Sequence, residues 1–141
     1  MTNHSMASRG VNSLVGAVFG AVYIAVGLVG FAVTGSHDFA GEDGGKLLGL
    51  FEVNALHNVV HLAVGALLLA GFAGGERLAS RVNTLVGGVY LLVGVLGLFI
   101  LNSSANLLAL NSMDNVLHLA SAVLLLTVGL SQRTAAQSRV A

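Results

Sequence analysis

The chain has 141 residues, of which 55% are hydrophobic and 9% charged, and six basic residues balance six acidic ones. Ordinary soluble domains carry about a quarter charged residues, so a water-facing globule is excluded and a lipid-facing exterior is implied. Zero net charge removes the electrostatic basis for nucleic-acid binding, and the absence of cysteine excludes disulfides, thiolate metal sites, c-type haem attachment and a lipoprotein anchor.

Four apolar runs predict four membrane-spanning helices, at about 11–34, 53–72, 82–101 and 112–131, in a single transmembrane domain covering 1–141. At about 1.5 Å per residue the first three cross a hydrocarbon core of roughly 30 Å. Backbone groups in lipid must be satisfied within the chain, and no run alternates as a barrel strand would, so helices are expected. The first run is too long and too weakly basic at its start for a cleaved signal peptide, and reads as an anchor. It carries Gly16 and Gly20 in a GxxxG, then Gly27 and Gly30, small residues that let membrane helices approach closely.

An outer loop over 35–52 follows, and its Gly-rich acidic start is expected to be solvated and mobile. Its end, "KLLGLFEV", is apolar enough to lie at the interface or to extend the second helix outward. Glu52 falls away from the polar face of that helix and reads as interfacial, while His37, like His4, is expected to be solvated. The second run opens with "NALHNVVHL" at 54–62.

The third run restates the first: "VNSLVG" (11–16) returns as "VNTLVG" (82–87), and "VYIAVGLVG" (22–30) as "VYLLVGVLG" (89–97), bringing Gly94 and Gly97 to match Gly27 and Gly30. A shorter loop ending in "NLLAL" leads to "NSMDNVLHL" (111–119), which echoes the start of the second run. The fourth helix reaches spanning length once residues 111–114 supply its first turn. Two helix–loop–helix units starting on the same side predict an all-α, four-helix membrane bundle of two tandem hairpins, a parallel 2+2 repeat about an axis along the membrane normal.

Arg9, Arg77, Arg81, Arg133 and Arg139 fall at the termini and the second connection, whereas Lys46 stands alone among Asp38, Glu42, Asp43 and Glu52 on the other side. The positive-inside rule then predicts a multi-pass protein of the cell membrane with both termini cytoplasmic.

Asn54, His57, Asn58 and His61 share one helical face, as do Asn111, Asp114, Asn115 and His118. Polar residues at this depth are expected to face the bundle interior rather than lipid. In one reading Asn54 and Asn111 are N-caps, Asp114 sits favourably at N3, and Asn58, His61, Asn115 and His118 hydrogen-bond across helices. In a second, His57, His61, Asp114 and His118 converge as a His3Asp set for zinc, copper or iron, with the asparagines fixing the imidazoles, or His61 and His118 ligate a b-type haem. A third is a proton or small-solute pathway, for which no continuous polar path is visible along the inner half of the helices. No nucleophilic constellation and no phosphate-binding loop can be assembled, so no catalytic residue is assigned.

Taken together, "LLGLFEVNALHNVVHLAVG", "VYLLVGVLG" and "NLLALNSMDNVLHLASA" resemble the small four-helix bacterial membrane-protein family catalogued as domain of unknown function 4383. The resemblance implies the four-helix fold and the Asn/His motifs, and it implies no activity. The expected function is a non-catalytic accessory or scaffold protein, a homo-oligomer or membrane-complex subunit in the lipid bilayer, whose Asn/His clusters lock the bundle. Metal or haem binding, and a proton or solute path, are the alternatives.

Overall fold

A computed structural model describes residues 10–137, with side chains described through Ser131. His4, Arg9 and Arg139 lie outside the described residues. The elements run α1 (Val11–Thr34), β1 (Gly45–Leu47), β2 (Phe51–Val53), α2 (Ala55–Ala73), α3 (Glu76–Ile100) and α4 (Ser112–Gln137). All four helices are long and apolar enough to cross a membrane, which makes this a multi-pass membrane protein.

Helix α1 packs chiefly on α2, and α3 on α4. The contact in each hairpin is close because it is made by glycine. A Cβ on Gly30 would overlap the Asn58 amide, and one on Gly97 would overlap the Asn115 amide in the same way. Matching glycines of the two hairpins thus admit matching asparagines of the polar faces. Apolar side chains turn outward, as in Leu14, Leu98 and Val123, each more than 60% exposed. Inward, Tyr23, Leu68, Val82, Val86, Tyr90, Ala122 and Leu125 form the core.

The start of α1, the end of α4 and the α2–α3 turn share one end of the bundle, here the terminal end. Helix α3 begins at Glu76 rather than at 82. Arg77 and Arg81 end the apolar run without ending the helix, since backbone hydrogen bonding does not require apolar side chains. The turn is only Gly74–Gly75, and Gly75 adopts φ +89°, a conformation costly for residues with a Cβ. Helix α1 has Gly10 as its N-cap and no side-chain cap of its own. Glu76 supplies one from α3, accepting from the backbone N–H of Asn12 (2.9 Å) and of Ser13 (2.9 Å) and from Asn12 Nδ2 (3.1 Å). Beside it, Asn83 Nδ2 donates to both oxygens of Asn12 at 3.0 Å. The fourth helix continues past 131 to Gln137.

At the opposite, loop end, the "KLLGLFEV" segment is neither a helical extension nor irregular. It folds as an antiparallel hairpin, with Gly45 opposite Val53, Lys46 opposite Glu52 and Leu47 opposite Phe51. Leu48 and Gly49 make the turn at φ 54° and 71°. Leu47 and Val53 of the hairpin and Ala109 and Leu110 of the other loop are each buried. The start of the first loop is also tied down: Gly41 N donates to Leu107 O (3.1 Å) and Ala109 N to Gly41 O (2.9 Å), joining the two loops. Glu52 therefore belongs to β2 rather than to the outward turn of α2, and its side chain accepts from Gly44 N (3.2 Å). His37 is exposed, as expected.

Candidate functional site

Both polar faces are buried apart from Asn111. Asn54, His57, Asn58, His61, Asp114, Asn115 and His118 are each at most 3% exposed, while Asn111 is partly buried at the rim. Beyond this shared burial, they divide by what they bond to.

The residues nearest the loop end are saturated. Asn54 Oδ1 accepts from His57 N (2.9 Å) and caps α2, while its Nδ2 donates to Gly41 O (3.1 Å) and Leu107 O (2.9 Å), one carbonyl from each loop. At the start of α4, Asn111 Oδ1 accepts from Asp114 N and Asp114 Oδ2 accepts from Asn111 N, both at 2.9 Å, a reciprocal capping box. Asp114 Oδ2 also accepts from Glu52 N (3.2 Å), and Asn111 Nδ2 donates to Leu50 O (2.8 Å), pinning the hairpin onto α4. Both N-caps are as expected from sequence.

The residues one turn deeper differ. Asn58 Nδ2 reaches Thr34 Oγ1 of α1 at 3.5 Å, the edge of hydrogen-bonding distance. Asn115 has no partner at either amide atom, nor has His61 at either ring nitrogen. The expected hydrogen bonds across helices are thus absent for Asn115 and His61. The space around the imidazoles is filled by aromatic faces, which offer no in-plane acceptor, and the Asn115 amide is packed against Gly97.

Those rings come from all four helices. His57 and His61 of α2 lie 4.4 Å apart between centroids, and His118 of α4 lies 5.7 Å from His57 and 6.4 Å from His61. Tyr23 of α1 leans on His61 (5.3 Å), Tyr90 of α3 stacks on His118 (5.0 Å), and the two tyrosines stack on each other (5.3 Å). Tyr23 and Tyr90 are the residues that sequence reasoning missed. They are the only tyrosines in the chain, and they occupy the same place in "VYIAVGLVG" and "VYLLVGVLG", a signal as strong as that of the duplicated histidines.

One ring nitrogen each from His57, His61 and His118 lies within 4.8 Å of the others. Asp114 is not in this group; its carboxylate is held by backbone N–H groups at the helix start. The donor set brought together is therefore three imidazoles. Five ring nitrogens, both of His57, both of His61 and Nδ1 of His118, have no hydrogen-bond partner, and neither has the Tyr90 hydroxyl. Tyr23 differs from Tyr90 in donating to Ser121 Oγ at 3.0 Å. A porphyrin between His61 and His118 would have to take the volume of His57, Tyr23 and Tyr90, so the rings present fit a single ion and not a haem.

A family model described as "Domain of unknown function (DUF4383)" matches residues 14–131. Neither the curated proteins nor the solved structures contain a match.

Proposed function

The chain belongs to the DUF4383 family, whose description carries no activity, and we propose from the geometry that it is a membrane protein holding a divalent first-row transition-metal ion on His57, His61 and His118. The observation that carries this is the five unpartnered imidazole nitrogens in the centre of the bundle. An unpaired buried polar group costs about 1–3 kcal/mol, and whole domains are stable by only about 5–15 kcal/mol. A purely locking role would satisfy those nitrogens with hydrogen bonds, as Asn54 and Asp114 are satisfied. A single cation takes up one nitrogen of each of the three rings by coordination. Neutral imidazole suits zinc and copper, and three of them leave a fourth coordination position.

Ligation requires little movement. Three nitrogens at about 2.0–2.1 Å from one tetrahedral zinc are about 3.3 Å from each other. The 4.8 Å spread therefore closes with a shift of under about 1 Å for each ring, within the reach of rotamer adjustment. Leu108 and Glu52 offer backbone groups beside His57, short of hydrogen-bond geometry, which a tightened ring would use to fix its tautomer.

Elemental analysis of the detergent-purified protein should find about one metal per chain, and cobalt(II) should give a tetrahedral visible spectrum on the metal-stripped protein. His61→Ala with His118→Ala should abolish both signals while the protein stays helical. A well-folded native protein that neither carries zinc or copper nor gives a cobalt spectrum sinks the proposal.

Orientation belongs to the same proposal. Arg77 and Arg81 stand at the terminal end and Lys46 at the loop end, which supports cytoplasmic termini and a loop end facing out of the cell. On intact cells a membrane-impermeant thiol reagent should modify Asp43→Cys and spare Arg77→Cys; the reverse pattern overturns this orientation.

A further inference from the structure

The histidine cluster is closed on nearly every side, so a cation needs a route to it. Toward the terminal end lie Leu68, Val82, Val86, Ala122 and Leu125, all buried and apolar. Between the Tyr23–Ser121 hydroxyl pair and the Asn12–Asn83 pair, both already hydrogen-bonded, an ion would shed water against this apolar layer. Around the bundle, the tight glycine contacts and outward apolar side chains offer no polar surface either.

The loop end is different. A cavity of about 350 Å³ opens there, with Glu42, Asp43, Glu52, Asn102, Asn111 and Ser112 among its walls. Among the described residues, three carboxylates and no basic side chain line it. Two of its wall residues lead inward. Glu52 and Asn111 both donate backbone N–H groups to Asp114 Oδ2 (3.2 and 2.9 Å), and Asp114 is one helical turn from His118 on the same face of α4. Glu52 is also a backbone neighbour of His57. The cavity wall is thus one backbone hydrogen bond from Asp114 and adjoins the backbone beside His57, and the imidazoles themselves are buried and unpartnered at the far end.

We infer that this acidic cavity is the loading entrance through which a divalent cation reaches the histidine cluster, with Asp114 as the last oxygen donor before His118 and His57. The inference rests on the metal-binding reading of those histidines. It gives the capping carboxylate a second role, since its Oδ2 is held by the backbone and the group is thereby fixed in place beside the route. Negative charge concentrated in a low-dielectric recess raises the local cation concentration and the entry rate, while the equilibrium affinity is set by the imidazoles.

Loading kinetics separate entry from binding. The chain has no cysteine, so a single introduced thiol can be modified cleanly. Ser112 lines the cavity and Arg77 is exposed at the opposite end. In full-length protein in detergent, stopped-flow mixing with cobalt(II) should show Ser112→Cys slowed about tenfold or more once a bulky maleimide is attached, with the final cobalt stoichiometry unchanged. Arg77→Cys carrying the same label should load at the rate of the unlabelled protein. The combined Glu42→Gln, Asp43→Asn and Glu52→Gln variant should load about tenfold more slowly at low ionic strength, and the gap should narrow as salt screens the cavity.

Cobalt loading that is equally fast with Ser112 labelled and with the three carboxylates neutralised overturns the entrance and leaves the histidine site standing. Slowing by the label at residue 77 instead places the route at the other end, and overturns it as well. If unmodified protein never acquires a cobalt spectrum, the metal site itself fails and the entrance with it.

Discussion

Two groups of polar residues sit one helical turn apart on the same faces of α2 and α4, and they are built on opposite terms. The loop-end group, Asn54, Asn111 and Asp114, is buried or half-buried and its bonds knit both loops to the helix starts. The deeper group, His57, His61, Asn115 and His118, is as buried and almost without hydrogen bonds. Burial therefore does not separate the two groups in this bundle; hydrogen-bond satisfaction does. Where a polar group is paired, its removal leaves an orphan and costs stability. Where it is already an orphan, its removal relieves a penalty.

The largest test of that contrast is Asn54→Ala. It removes an N-cap, worth about 1 kcal/mol, and one hydrogen bond to each of the carbonyls of Gly41 and Leu107, which keep their backbone donors, at a net of about 0.5–1.5 kcal/mol each. A loss of about 2–3 kcal/mol is expected in equilibrium unfolding in mixed micelles. A loss below about 1 kcal/mol would mean that water replaces the amide readily, and the claim that the loop-end group holds the structure would fall.

His61→Leu should go the other way. In the presence of a chelator, removing two unpartnered nitrogens from an aromatic pocket should raise stability by about 1 kcal/mol, because the desolvation penalty disappears while apolar volume is kept. Excess zinc should then reverse the order, since binding at about a hundred times Kd stabilises the wild type by about 2.7 kcal/mol and cannot act on the variant in the same way. Should the variant be less stable than wild type under both conditions, His61 is a packing residue and the contrast with Asn54 disappears.

Much of this is legible in the sequence, and the rest has physical reasons for being hidden. Length and apolarity dictate four helices because a spanning segment in lipid has so few alternatives. Helical periodicity puts Asn54, His57, Asn58 and His61 on one buried face, because the spacing of three and four residues defines a face whatever surrounds it. The caps at Asn54 and Asn111 are local and can be read in the same way. What periodicity cannot give is the partner across the bundle. Asp114 has the same spacing from His118 as His57 has from His61, yet it turns to the backbone of Glu52, a contact set by a hairpin 62 residues away in sequence. That hairpin has strands of three residues each, too short for alternation to register. Helix α3 begins ahead of its apolar run because Arg77 and Arg81 mark the edge of the apolar span and not the edge of the helix.

The two tyrosines sharpen the contrast at its smallest scale, because they are near-copies that differ in satisfaction alone. Both are buried, at 4% and 3% exposure, and they stack on each other in the ring cluster. Tyr23 donates a full hydrogen bond, to Ser121 Oγ, whereas the Tyr90 hydroxyl lies beside that of Tyr23 short of hydrogen-bond geometry. Tyr23→Phe should therefore lose about 1 kcal/mol, the net worth of one hydrogen bond with some penalty for the abandoned serine hydroxyl. Tyr90→Phe keeps the ring and its stacking and removes an unpaired hydroxyl, so in metal-free protein it should be neutral or gain a few tenths of a kcal/mol. A different outcome becomes informative with metal bound. If the Tyr90 oxygen is a fourth donor, Tyr90→Phe will alter the cobalt(II) spectrum, whereas Tyr23→Phe, whose hydroxyl is already committed to Ser121, will not. Identical behaviour of the two variants, in stability and in spectrum, would mean that the hydroxyls play no part in the cluster and that the rings alone are what the repeated tyrosine supplies.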